Sequence, residues 1–131
     1  MNTIERFELA YLHDSGVMSI LIDVQRDACR LALDRAGVLR KDPQTIFDRE
    51  RNYEPAVLEF VDVKLIKMPD GYPLNDVIAA AKCVATELPD YFCFSLDLMG
   101  GRGDEFMRTI EIVAKDFSLS GTPVALPTVD A

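Results

Sequence analysis

The sequence predicts a helix-rich α+β fold, in which a helical N-terminal half packs against a small βαβα unit. Three observations favour this class. Apolar residues recur at helical spacing along residues 17–36, they alternate strictly at Phe92, Phe94, Leu96 and Leu98, and three glycines follow that alternation within four positions. A strand, a glycine turn and a helix are typical of a βα unit. An all-α fold, in which both expected strands are helical, is the alternative.

The N-terminal half is predicted to contain three helices. Asn2 and Glu5 have the spacing of a capping box, which opens a short first helix. A longer helix is expected over residues 17–36, because apolar side chains recur there three or four residues apart. Asp42, followed by a proline, predicts the start of a third helix that ends near Arg51. The apolar face of the long helix would contain Val17, Leu21, Val24, Ala28 and Leu31.

The C-terminal half is predicted to alternate strands with helices. Residues 57–68 indicate a strand because they are rich in β-branched and aromatic side chains, although their spacing also fits a helix. A helix over residues 74–88 would connect them to a strand at Phe92–Leu98, and the crossover would make these two strands parallel if they are neighbours. A last helix is expected from Asp104 to about Phe117.

Composition indicates one globular domain over residues 1–121, followed by an extended or partly disordered tail at residues 122–131. The 22 acidic and 14 basic residues give a net charge of −8. That charge repels nucleic acids and anionic membranes, so neither is expected as a partner. Three cysteines without a CxxC pair, and an N-terminus without the pattern of a signal peptide, predict reduced thiols in the cytoplasm.

The glycines after the second strand form the one motif that suggests ligand binding. A glycine loop between a strand and a helix N-terminus can hold phosphate groups. This candidate ligand loop consists of Gly100, Gly101, Arg102 and Gly103. Arg102 would contact an anion, but Asp104 at the helix start would repel a phosphate, and Phe106 replaces the third glycine of the dinucleotide fingerprint. We therefore expect no cofactor.

Few side chains have the spacing that catalysis or metal binding requires. His13 is the only histidine, which excludes a site with several histidine ligands. The arginines near Cys29 have aspartates placed to pair with them, and neither Cys83 nor Cys93 has a suitably placed cation, so a reactive thiolate is not expected. The sequence therefore predicts no catalytic residue and no metal site, and it favours a protein that is not an enzyme.

The expected helix over residues 74–88 has small, uncharged side chains on the face opposite its aliphatic one. Ala79, Ala80 and Cys83 stand where lysine and glutamate are usual on an exposed helix. These three residues form a candidate interface. Another part of this chain is the favoured cover, and a second subunit or a partner protein is the alternative.

The first functional hypothesis is a small, acidic, non-catalytic protein-binding module that acts as an adaptor, inhibitor or assembly factor. Its partner would be another protein, and a homodimer is an option. The second hypothesis is a small α/β enzyme or ligand-binding domain that uses the loop from Gly100 to Gly103. The third is a structural subunit of a homo-oligomer.

Overall fold

A computed structural model describes residues 1–39, 50–69, 76–100 and 107–121 of the chain. Within these ranges the protein consists of one short helix and eight strands. The elements, in chain order, are α1 (Thr3–Leu9), β1 (Val17–Asp23), β2 (Ala28–Leu39), β3 (Arg51–Val61), β4 (Leu65–Lys67), β5 (Val77–Ala85), β6 (Phe92–Met99), β7 (Met107–Ala114) and β8 (Asp116–Gly121). The described part of the chain is therefore mostly β.

The strands form two antiparallel sheets that share a corner. One sheet has the order β1-β2-β3-β8, and the other has the order β4-β7-β6-β5. At the corner β3 leads into β4, and β7 leads into β8. The Lys64 amide donates to the Val113 carbonyl at 2.8 Å, and the Lys115 amide donates to the Val61 carbonyl at 3.1 Å. Backbone hydrogen bonding thus continues across the corner. The β3–β4 segment and the β7–β8 segment both bend there, and each contributes a strand to both sheets.

On the other side, the two sheets touch where β1 and β5 begin. Gly16 and Val77 form an antiparallel bridge. Beside it, the Val17 amide donates to the Asp76 carbonyl at 2.9 Å. The sheets are therefore joined on both sides, and they enclose the space between them.

One hydrophobic core fills that space. The ring of Phe94 in β6 lies 4.9 Å from that of Phe60 in β3 and 5.0 Å from that of Phe7 in α1, measured between centroids. Rings at this separation attract each other in tilted or edge-to-face arrangements. The largest fully buried side chains are Phe7, Phe60, Phe94, Leu12, Leu31, Leu58, Ile78, Leu96, Leu98, Ile110, Ile112 and Val17.

The helix α1 packs against this core and confirms the predicted capping box. The Glu5 amide donates to Asn2 Oδ1 at 2.8 Å, and the Glu5 side chain accepts from the Asn2 amide. Phe7 packs into the core, and this residue is only 2% exposed. Arg6 Nη1 contacts Asp116 Oδ1 at 2.9 Å, which ties the helix to the start of β8.

The predicted helix-rich α+β fold is wrong, and so is its all-α alternative. Residues 17–36 form most of the β1–β2 hairpin instead of one long helix. The helical spacing combined side chains from both faces of this hairpin: Leu31 is fully buried, whereas Leu21 is 54% exposed and Val24 is 80% exposed. From Cys29 to Leu33, fully buried residues alternate with less buried ones, as a strand with one face in the core requires.

Two further predicted helices are also strands. The segment 74–88 contains β5, and the segment from Asp104 to Phe117 contains β7 and the start of β8. Buried residues alternate along β7, and its β-branched side chains favour the extended conformation. The strand predicted at Phe92–Leu98 is confirmed as β6. The strand predicted over residues 57–68 is confirmed as parts of β3 and β4, with a break at Asp62.

The predicted parallel arrangement of those two strands is wrong as well. β7 lies between β4 and β6, and each paired strand in both sheets is antiparallel to its neighbour. The third predicted helix and the tail at residues 122–131 lie outside the described residues, except that Arg51 begins β3. None of the helical structure in the described ranges is long and apolar enough to cross a membrane.

Candidate functional site

The first candidate site is an open groove between the turn of the β1–β2 hairpin and the β3–β4 corner, here called the hairpin groove. Its volume is about 310 Å³. It is lined by Ile22, Asp23, Val24, Asp27, Ala28, Val63, Lys64, Leu65 and Ile66. Five of these nine residues are valine, leucine or isoleucine, so the surface of the groove is predominantly apolar.

Two aspartates in the left-handed backbone region shape the walls of the hairpin groove. Asp27 lies at the end of the hairpin turn with φ 50°, and Asp62 lies at the corner with φ 52°. Aspartate adopts this region more readily than most other residues with a side chain. The Val63 amide donates to the Asp27 carbonyl at 2.8 Å. This bond fixes the tip of the hairpin to the corner.

Large apolar side chains are exposed in the hairpin groove. Ile22 pairs with Cys29, which is fully buried, so Ile22 lies on the inward face of its sheet, yet it is 49% exposed. Val24 in the turn is 80% exposed, and Leu65 in β4 is 55% exposed. The strand β4 has only three residues and offers little cover at this end. The groove therefore exposes apolar side chains from both the hairpin and the corner.

The charged side chains that line the hairpin groove are mostly acidic. Asp23 Oδ2 lies 3.9 Å from Arg26 Nε, whereas Asp27 forms no ion pair with any other described residue. Lys64 lines the groove too, but its Nζ lies 5.7 Å from the centroid of the Tyr91 ring, a cation–π distance. The lysine is therefore turned toward an aromatic ring, and the lining side chains carry two carboxylates against one ammonium group.

The second candidate site is a more polar groove of about 340 Å³, here called the tyrosine groove. It is lined by Tyr11, His13, Asp14, Arg35, Ala36 and Tyr53. The rings of Tyr11 and Tyr53 meet edge to face, with centroids 5.7 Å apart and an interplanar angle of 84°. The Arg35 guanidinium carbon lies 5.3 Å from the centroid of the Tyr53 ring. The groove thus combines two aromatic faces with a cation.

Gly37 allows the two tyrosines to approach each other. Its amide donates to the Tyr11 carbonyl at 2.9 Å. A Cβ at this position would lie 2.8 Å from Tyr11 Cβ and 2.9 Å from Arg51 Cδ, well inside the contact distance between carbon atoms. Any larger residue at position 37 would therefore push the wall of the tyrosine groove outward.

The histidine and the buried cysteines have no catalytic arrangement within the described ranges. His13 Nδ1 lies 3.1 Å from Asp14 Oδ2, and the His13 side chain is 57% exposed. Burial raises the pKa of Cys29 to about 11, and burial with a contribution from Cys93 raises the pKa of Cys83 to about 12. Both thiols are protonated at neutral pH and are poor nucleophiles. No group of three or more His, Cys, Asp or Glu side chains among the described residues could hold a metal ion.

The candidate interface predicted from the sequence does not lie on a helix. Ala79, Ala80 and Cys83 belong to β5, an edge strand. Cys83 pairs with Phe94 and is buried, Ala80 pairs with Asp97 and is exposed, and Ala79 is the extra residue of a bulge. The three side chains therefore do not form one small-residue face, and their contact with a partner stays a prediction.

The candidate ligand loop is only partly described. Gly100 directly follows β6 and is half-buried. Gly101, Arg102 and Gly103 lie outside the described residues. Ligand binding by this loop therefore stays a prediction.

Neither groove is predicted from the sequence. The available signal for the hairpin groove is the alternation of Ile20 and Ile22, which places both on one face of a strand. The tyrosine groove brings together Tyr11, Arg35 and Tyr53 from three separate segments, so no local spacing indicates it.

The described residues form a small antiparallel β structure that carries the apolar hairpin groove and the more polar tyrosine groove. Comparisons with family models, with curated protein sequences and with solved structures each found no match. Functional arguments for this chain therefore rest on its own residues.

Proposed function

We propose that this chain is a non-catalytic protein-binding module that holds a segment of another protein in the hairpin groove. The observation that carries the proposal is the concentration of exposed aliphatic side chains in one concave surface. Ile22, Val24 and Leu65 are 49%, 80% and 55% exposed and line the same groove. Scattered exposed apolar residues are ordinary, but clustered ones are typical of interaction sites.

The charge around the groove indicates what kind of segment would bind. The lining residues Asp23 and Asp27 are acidic, and Lys64 is turned toward Tyr91. The whole chain carries a net charge of −8. Complementary charge steers association and suppresses wrong partners. We therefore expect an extended segment with aliphatic anchors and flanking lysines or arginines.

The same charge argues against a second copy of this chain as the occupant. Two molecules of net charge −8 repel each other, and the acidic rim would face an acidic surface. A different, basic protein satisfies both the apolar lining and the charged rim. An adaptor, an inhibitor and an assembly factor would each use such a site, and the identity of the partner distinguishes them.

Site-specific photo-crosslinking in the native host tests the proposal. A photoreactive side chain replaces Leu65 in the groove, and the matched control replaces Val84, which is 47% exposed on β5. We expect one dominant crosslinked protein from position 65 and little from position 84. The crosslinked peptide, identified by mass spectrometry, should carry net positive charge and aliphatic residues.

Calorimetry with that peptide then measures the contribution of the groove. Leu65→Asp should weaken binding by about 30-fold, because it removes the burial of one leucine and adds a like charge to an acidic rim. Val84→Asp should leave the affinity unchanged, and added salt should weaken binding to the unmodified protein. Equal crosslinking at both positions, an acidic crosslinked peptide, no crosslink at all, or a crosslink to a second copy of this chain would each contradict the proposal.

A further inference from the structure

The tyrosine groove contains an arginine with unused hydrogen-bonding capacity. Arg35 has five N–H donors, and within the described residues none of them reaches a polar acceptor; its recorded contact is the ring of Tyr53. In an acidic chain most arginines find a carboxylate or a carbonyl. The other described arginines do so, namely Arg6, Arg26, Arg30, Arg51 and Arg108.

The guanidinium of Arg35 lies near an aromatic ring, a contact that does not use its donors. The Arg35 guanidinium carbon lies 5.3 Å from the Tyr53 centroid, and Tyr11 packs edge to face against Tyr53. A guanidinium that packs on an aromatic ring can still offer its edge to an anion. The donors of Arg35 are thus available to a carboxylate or phosphate group.

We propose that the tyrosine groove binds a small aromatic anion, meaning a planar ring that bears one carboxylate or phosphate group. The anionic group would accept hydrogen bonds from Arg35, and the ring would pack against Tyr11 and Tyr53. The groove volume of about 340 Å³ is at the small end of ligand sites, which suits one ring with one substituent. This site is distinct from the hairpin groove and does not depend on its function.

The Asp14 carboxylate and the net negative charge of the chain both oppose an anion here. Asp14 lines the groove, but its Oδ2 lies 3.1 Å from His13 Nδ1, so that carboxylate already has a polar partner. The net charge of −8 on the whole chain is screened beyond about 8 Å at physiological ionic strength. Arg35 lines the groove and supplies a positive charge there.

Calorimetry of the full chain with phenyl phosphate, benzoate and inorganic phosphate tests the proposal. Phenyl phosphate and benzoate should both bind, and inorganic phosphate, which lacks the ring, should bind at least about tenfold more weakly. Arg35→Gln should weaken phenyl phosphate binding at least about tenfold, because charge-assisted hydrogen bonds are lost. Arg26→Gln is the matched control: it removes the same charge from an exposed arginine in the hairpin turn, and it should leave binding unchanged.

A second variant should strengthen binding and therefore cannot be explained by misfolding. Asp14 has φ 65°, a conformation that asparagine also accepts, so Asp14→Asn removes the charge and keeps the backbone. It should tighten phenyl phosphate binding about threefold. Failure of phenyl phosphate to bind at millimolar concentration would overturn the proposal, as would equal binding of inorganic phosphate or equal losses in Arg35→Gln and Arg26→Gln.

Discussion

Replacing Phe94 by alanine is expected to remove the central contact between the two sheets. The Phe94 ring is fully buried, and its centroid lies 4.9 Å from that of Phe60, 5.0 Å from that of Phe7 and 5.7 Å from that of Phe117. Deleting a buried phenyl ring costs about 3–5 kcal/mol, and the three close aromatic contacts place Phe94 at the upper end, about 4–5 kcal/mol. This is a large part of the 5–15 kcal/mol that stabilises a typical domain.

Urea denaturation followed by far-ultraviolet circular dichroism measures this loss. Phe92→Ala in the same strand is the matched control, because Phe92 is only half-buried and should lose about half as much. If Phe94→Ala does not fold, Phe94→Leu keeps most of the volume and should lose about 1–2 kcal/mol. A loss below about 1 kcal/mol for Phe94→Ala, with an unchanged denaturant slope, would refute the placement of this ring between the sheets.

Four further predictions concern groups outside the aromatic cluster. Asp76→Ala leaves Arg108 without the carboxylate 2.7 Å away and should cost about 2–3 kcal/mol in urea denaturation; a loss below 1 kcal/mol would mean that the pair contributes nothing net. Cys29 and Cys83 should react with Ellman's reagent much more slowly at pH 8 than the third cysteine does, and equal rates would contradict their burial. Burial raises the pKa of Cys29 from 9.0 to about 11 and that of Cys83 from 9.0 to about 12. The stability that the two thiols contribute should therefore be constant below about pH 9 and fall above it, up to about pH 11 for Cys29 and about pH 12 for Cys83, and this slope should be absent when both are replaced by alanine. Asp27→Gly should raise the free energy of unfolding by about 0.5–1 kcal/mol by relieving the φ of 50°, and a decrease of that size would show that the aspartate side chain stabilises the turn.

The sequence predicts an element correctly where its local pattern fits only one type of secondary structure. The capping box at Asn2 and Glu5 forms as expected because it depends on residues within one turn. In the strand at Phe92–Leu98 the large apolar residues alternate without interruption in the sequence, and their spacing does not fit a helix. The spacing of apolar residues in segment 57–68 fits both a strand and a helix, and its β-branched and aromatic residues correctly indicate the strand.

The hairpin at residues 17–39 could not be predicted from spacing alone. Leu21 and Val24 are apolar but exposed. When they are counted together with the buried apolar residues, the whole set recurs at helical spacing. Pairing of β1 with β2, and of β2 with β3, decides the outcome, because each strand gains backbone hydrogen bonds and a shared buried face. Of Leu21 and Val24, the latter lines the hairpin groove that the binding proposal uses, so one deviation from a clean pattern coincides with a candidate site.

The candidate sites were less predictable than the fold. Ile22, Val24 and Leu65 come together only when the turn after β1 meets the β3–β4 corner, a contact between distant segments. Arg35 and Tyr53 likewise lie on neighbouring strands, and their stacking depends on sheet formation. A sequence shows which side chains are available, but long-range pairing decides which of them share a surface.

The hairpin groove exists only if residues 17–39 fold as two antiparallel strands, and nuclear magnetic resonance of this segment in the free protein detects such strands residue by residue. An antiparallel hairpin should give strand-type carbon chemical shifts in β1 and β2, interrupted at residues 24–27, and close proton contacts across the Ile22–Cys29 and Ile20–Leu31 pairs. Continuous helix-type shifts over residues 17–36, with contacts between residues three apart in sequence, would contradict both the fold and the groove built on it.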